Sequence, residues 1–367
     1  MSCDLTALAN AGIRGLQPYQ PGKPISELQR ELGLTDIVKL ASNENPLGCS
    51  LKVREAMESC MADIARYPDA NGYYLKQALS EKLGIRAGQI TLGNGSNDVL
   101  DLIARTFAGP GREVIFSQHA FLVYPIVTKA VEAKAVVVPA RNYGHDLDAM
   151  ADAITEQTSL IFIANPNNPT GTWVSANELR TFLKRVPENV IVVVDEAYYE
   201  YVDSPDYPQT LSKLAEFPNL IVTRTFSKAY GLAGLRVGYS VSHPDVADLL
   251  NRIRQPFNVN SLALAAAEAA LSDVDFLQKA VELNKAGMAY LTAAMDDMGY
   301  RYIPSAGNFL TIDFECDAQS LYQKLLHEGV IVRPVANYEL PSHLRVSIGT
   351  MEENERFVQA LKKVTGR

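Results

Sequence analysis

Short apolar runs rich in β-branched residues recur through the first two thirds of the chain, and polar stretches of helical character separate several of them. Residues 113–117, 135–139, 160–164, 190–194 and 220–223 are such runs, and their unbroken apolar character predicts strands buried on both faces. Between two of them, the segment 175–186 opens on Ser175 with Glu178 three residues on, the signature of a capping box at a helix start. This alternation predicts an α/β fold, a large domain whose mainly parallel, mixed sheet is flanked by helices. Ligand groups are then expected beyond the carboxyl ends of the strands. After Gln255 and Pro256 the pattern changes: helices are expected over Ser261–Ser272 and residues 283–298, and strands at 309–314, 330–332 and 344–348. That tail reads as a smaller α+β domain. The expected division is an N-terminal arm over residues 1–45, a large domain over 46–255 and a small C-terminal domain over 256–367.

Composition narrows the class. With 47% hydrophobic and 21% charged residues among 367, the chain is neither disordered nor collagen-like nor a coiled coil. A net charge of −8 with no local Lys/Arg run argues against a nucleic-acid partner. Four cysteines without CxxC or CxxH spacing read as reduced thiols, which points to the cytoplasm and away from a metal site. The first 30 residues carry no secretory apolar core and no stretch of 18 apolar residues runs unbroken, so no membrane span is expected.

The candidate chemistry sits just after the apolar runs, as expected. The segment from Thr225 to Gly238 (TFSKAYGLAGLRVG) places Lys228 between hydroxyls and small residues, with Arg236 eight residues on. An isolated lysine there would simply be solvated. In this setting its amine can condense with a carbonyl, while the arginine fork can engage phosphate oxygens. The turn from Asn165 to Gly171 (NPNNPTG) follows one strand, and Asp195 to Tyr198 (DEAY) follows another. The turn has the composition of an ordinary Pro/Asn/Gly turn, and Asp195 could merely cap a helix. Residues 93–98 (GNGSND) form a glycine turn into a helix start, which offers free N–H groups to an anion. They lack the GxGxxG spacing of a dinucleotide site.

Together these strings resemble the class I/II aminotransferases of fold type I, from about residue 40 to the end of the chain. The resemblance implies pyridoxal 5′-phosphate as cofactor, bound by the large domain and held as a Schiff base on Lys228, with Lys228, Asp195 and Tyr198 catalytic. Asp195 would keep the pyridine nitrogen protonated, the condition for its action as an electron sink. Asn168 and Tyr198 would hydrogen-bond the phenolic oxygen. Gly95, Ser96, Asn97, Thr225, Ser227 and Arg236 would surround the phosphate. Phe121 would stack on the ring, although core packing is the default for any phenylalanine.

Three strings carry a narrower resemblance to the branch of that family acting on histidinol phosphate: residues 40–48 (LASNENPLG), Arg66-Tyr67-Pro68 and residues 344–350 (LRVSIGT). That resemblance implies glutamate/2-oxoglutarate and histidinol phosphate as substrates, and a homodimer with shared active sites in which Tyr67 reaches the cofactor phosphate of the neighbouring subunit. Arg345 would bind the substrate anion, with Arg333, Tyr19 and Asn168 beside it. An aromatic amino-acid aminotransferase and a phosphothreonine decarboxylase share much of this motif set, and a catalytically dead binding protein is the alternative outside enzymes. Glu196 and His119 receive no role.

Overall fold

The apolar runs assemble side by side. In the computed structural model, which describes residues 3–366, β1 (Val38–Lys39) is followed by β2 (Ile90–Gly93), β3 (Glu113–Ser117), β4 (Lys134–Val138), β5 (Thr158–Ala164), β6 (Ile191–Asp195), β7 (Leu220–Thr225) and β8 (Gly238–Val241). All but β1 form one sheet in the order β2-β8-β7-β6-β5-β3-β4. Strands β3 to β7 pair in parallel, and β8 runs antiparallel to both of its neighbours. Each residue of β3, β5 and β7 is buried, as strands covered by helices on both faces require. The period of two is visible within β5: Leu160, Phe162 and Ala164 enter one core, Ile161 and Ile163 the other.

Helix Ser96–Phe107 closes the first of these cores with Val99, Leu100 and Ile103. Helix Ala176–Arg185 closes the second with Leu179 and Phe182. Its start has the expected capping box: Glu178 N donates to Ser175 Oγ at 3.3 Å, and Ser175 N donates to Glu178 Oε2 at 2.8 Å. Such a cap contributes about 1 kcal/mol.

The tail adds β9 (Arg301–Ile303), β10 (Phe309–Asp313), β11 (Val330–Ile331), β12 (Arg333–Pro334) and β13 (His343–Ser347). Four of these form an antiparallel sheet in the order β12-β13-β10-β9, while β11 pairs in parallel with β1. The strand expected at 330–332 is realised as β11 over Val330–Ile331, and a second, unexpected strand, β12, follows after Val332 in a different sheet. Pro334 cannot donate to a ladder and fits the edge position that β12 occupies. The long helix begins earlier than expected and spans Val274–Asp297, whereas Ser261–Ser272 has the expected bounds. Strands β8 and β9 were not anticipated, being short runs (GYSV and RYI) that alternate too briefly to register.

Packing crosses the sequence divisions. Helix Ser261–Ser272 lies on helices Leu51–Cys60 and Tyr73–Leu83, and its Ala263, Ala266 and Ala267 join a core of the seven-stranded sheet. In the other direction, Leu28, Leu40 and Ala41 enter the core of the four-stranded sheet. The N-terminal segment thus bridges toward the smaller sheet, and a cavity opens between the two.

Candidate active site

The cavity has a volume of about 300 Å³. It is lined by Ser96, Asn97, Phe121, Asn168, Asp195, Tyr198, Thr225, Ser227, Lys228 and Arg236 from the large-sheet side, and by Tyr19, Arg333 and Arg345 from the other. Of the residues expected at the site, Gly95 lies immediately behind this lining and Tyr67 lies outside it.

Three strand ends build the floor. Asp195 is the last residue of β6, Thr225 the last of β7 with Lys228 three residues beyond, and β5 runs into the turn that carries Asn168. This is where a parallel sheet exposes its loops. Asp195 is buried, and its two carboxylate oxygens accept separate hydroxyl donors: Thr223 to Oδ1 at 2.8 Å and Tyr124 to Oδ2 at 3.0 Å. Burial pushes its carboxyl up to about 6, against the two hydroxyl donors, which favour the anion. Lys228 Nζ donates to Ser42 O at 3.3 Å and lies 5.7 Å from the centre of the Tyr198 ring. Burial first, then the Arg345 guanidinium, lowers its amine to about 7; Glu44 opposes the shift and Arg236 adds to it.

An anion cradle adjoins the floor. Helix Ser96–Phe107 starts here, so its first N–H groups have no partner within the helix and point outward with the positive end of the dipole. Gly95 precedes it at φ 86°, a conformation that glycine adopts freely. A Cβ at Gly95 would stand 2.5 Å from Arg236 Nη2, so the absent side chain is what admits the guanidinium. Arg236 Nη1 donates to Ala233 O at 2.9 Å and to Ser227 Oγ at 3.4 Å. Phe121 forms a wall of the cavity and meets the edge of the Tyr124 ring.

The opposite wall is cationic. Arg333 on β12 and Arg345 on β13 are direct cross-strand partners, both buried. Like charges so placed repel, and among the described residues neither guanidinium has a carboxylate within ion-pair distance. Arg345 Nη1 donates to Asn168 Oδ1 and Nη2 to Ala41 O at 2.9 Å, while Nε is buried without a partner. Arg333 Nη2 donates to Gln20 O, and its Cζ lies 5.7 Å from the Tyr19 ring centre. Arg345 is made less basic by its burial. Two buried cations without an anion describe a site for an anionic ligand.

Sequence reasoning passed over several residues here. Asn43 Nδ2 donates to Tyr198 Oη at 2.9 Å, and Asn43 is fixed in turn by Ser347 Oγ, which accepts from its N–H at 2.8 Å. Tyr198 is a weaker acid than usual, pushed up to about 12 by burial. Tyr124 and Thr223 were likewise missed. Glu196 faces away from the cavity and pairs with Arg224, whose Nη2 lies 2.7 Å from Oε2. His119 Nδ1 hydrogen-bonds Tyr338 O at 2.6 Å. Tyr67 is 82% exposed, its ring stacked on Phe257 with centroids 4.5 Å apart. Among the described residues there is no cluster fit for a metal ion and no helix long and apolar enough to cross a membrane.

The chain is similar to known proteins along nearly its whole length. Residues 35–361 match the model of the family "Aminotransferase class I and II". The chain is 63% identical over 359 residues to histidinol-phosphate aminotransferase 1 of Idiomarina loihiensis, covering 98% of each. It is 59% identical to histidinol-phosphate aminotransferase 2 of Pseudomonas fluorescens, covering 100% of each. Among solved structures, the histidinol-phosphate aminotransferase of Sinorhizobium meliloti in complex with pyridoxal-5′-phosphate superposes with a TM-score of 0.89 at 30% identity, covering 97% of each chain. The fold is the expected fold-type-I α/β architecture, and the chain belongs to the class I and II aminotransferases.

Proposed function

We propose that the protein is a histidinol-phosphate aminotransferase, moving an amino group reversibly between L-histidinol phosphate/imidazole-acetol phosphate and 2-oxoglutarate/glutamate in histidine biosynthesis. The 63% identity over 98% of the chain carries this reading. The unpaired Arg333 and Arg345 support it, since a carboxylate and a phosphate must each find a cation in the same pocket.

The residues fit pyridoxal 5′-phosphate. The helix start at Gly95, Ser96 and Asn97, with Thr225, Ser227 and Arg236, would hold its phosphate in a cradle that a Cβ at Gly95 would fill. Phe121 would lie against the ring, Asp195 at its nitrogen, and Asn168 and Tyr198 at its phenolic oxygen. When bound, the cofactor supplies a ring that accepts the electrons of the broken Cα–H bond. The chain's own residues do the rest. With its amine lowered to about 7, Lys228 is partly neutral near neutral pH, so it can take the proton from the Cα of the amino donor in one half of the reaction and give a proton to the Cα of the acceptor in the other. Asp195 would stabilise a protonated ring nitrogen. Arg345 orients the glutamate carboxylate in one half of the reaction, and Arg345 with Arg333 and Tyr19 orients the substrate phosphate in the other.

The exposed Tyr67 supports a homodimer in which it completes the neighbouring subunit's phosphate cradle. We place the enzyme in the cytoplasm, with small-molecule substrates and neither nucleic acid nor membrane as partner. The test compares glutamate-dependent turnover of imidazole-acetol phosphate, phenylpyruvate and 4-hydroxyphenylpyruvate on one preparation, with phosphothreonine assayed for carbon dioxide release. Highest kcat/KM on imidazole-acetol phosphate is expected; faster aromatic turnover, or decarboxylation, overturns the assignment.

A further inference from the structure

Asp195 is gripped from two elements. Thr223 sits directly opposite it on the neighbouring strand and donates to Oδ1 at 2.8 Å, whereas Tyr124 reaches across from helix Val123–Ala130 and donates to Oδ2 at 3.0 Å. Both donors are fully buried. The Tyr124 ring lies flat on Phe162, with centroids 4.6 Å apart and 3° between planes, and meets Phe121 edge-on at 5.9 Å. One buried tyrosine therefore touches both the carboxylate of the floor and the aromatic wall of the cavity.

We propose that Tyr124, with Thr223, is a positioning residue of the amino transfer: the pair keeps the Asp195 carboxylate ionised and fixed in rotation, and Tyr124 also seats Phe121, so that the ring nitrogen Asp195 would face stays protonated. This rests on the assignment of the cavity to pyridoxal phosphate. The physical reason lies in two opposed effects. Burial favours the neutral carboxylic acid, which cannot hold a cation; one hydroxyl donor on each oxygen favours the anion and stops rotation about Cβ–Cγ. Tyr124 remains a donor across the working pH range, because burial and the adjacent anion hold its phenol well above the ordinary value. The other ionisable groups near Asp195 are Glu196 on its own strand, Tyr198 beyond it, and Lys228, Arg236 and Arg345 around the same cavity. Glu196 opposes ionisation, and the two hydroxyls are the direct hydrogen-bond donors that support it.

Tyr124→Phe keeps the ring contacts and removes the donor. In the cofactor-loaded protein, the acid limb of the kcat profile should move up by about one pH unit, with KM changed less than about twofold, and the pH midpoint of the bound cofactor's absorbance should move with it. Cofactor affinity at neutral pH should fall by about tenfold. Thr223→Val should shift the midpoint in the same direction and Thr223→Ser should restore it; this pair carries the test if Tyr124→Phe does not fold. A variant with lower Tm but an unmoved midpoint overturns the proposal. Failure of the unsubstituted protein to bind pyridoxal phosphate would instead remove the functional assignment beneath it.

Discussion

The floor and the cationic wall of the cavity are built by different means. On the floor, Asp195 ends one strand of the large sheet and Asn168 and Lys228 follow two of its neighbours within a few residues, and the parallel ladder that spaces β5, β6 and β7 also spaces their side chains. On the wall, Arg333 and Arg345 come from the four-stranded sheet and Tyr19 from the N-terminal segment. Bonds between distant parts of the chain hold that wall together: Arg345 to Ala41 O and Asn168, Arg333 to Gln20 O. The floor handles the bond that breaks, and the wall handles the charge that must be recognised. Substitutions on the floor should therefore appear in kcat, and substitutions on the wall in KM.

The largest effect of this contrast, after loss of the lysine itself, should come from Asp195→Asn. It removes the anion but keeps the shape and should lower kcat by roughly 10²-fold or more with little change in KM. A steady-state comparison that finds KM moved and kcat intact would dissolve the distinction. On the wall, Arg345→Lys loses the planar fork and should raise KM for glutamate and for the phosphate-bearing substrate alike, by about tenfold to a hundredfold. Arg333→Ala should raise KM for the phosphate substrate alone, by roughly tenfold or less. Equal effects of Arg333→Ala on glutamate would merge the two arginines into one function.

The same contrast explains what the sequence discloses. Residues one to five positions past an apolar run can be read locally, which is why Asp195, Asn168, Lys228 and the helix start at Ser96 stand out in the sequence and converge in space. The wall was reached by resemblance, because nothing local in the alternating β13 (HLRVS) marks Arg345 as facing a ligand and not solvent. Tyr124 and Thr223 carried no signal of a role, and Asn43 stood only within the string 40–48, with no role of its own. Tyr124 sits within an apolar helix where a tyrosine reads as core, and its bond to Asp195 spans 71 positions; that of Asn43 to Tyr198 spans 155. Val332 illustrates the same limit for the fold. Three apolar residues in a row read as one strand, yet pairing with β1 ends at Ile331 and pairing with β13 begins only at Arg333, which leaves Val332 between the two sheets. Helix Ser261–Ser272 was legible in extent, but its packing on the large sheet depends on which face its alanines turn inward.

The claim beneath all of this is that Lys228 holds the cofactor. Borohydride reduction of the pyridoxal phosphate-loaded protein, followed by peptide mass mapping, should place one label per chain on Lys228, and Lys228→Ala should take up none and lose transamination. Lys76, another lysine that burial makes less basic, at about 8, is the internal control. A label on Lys76 or on any lysine other than Lys228 would contradict the account.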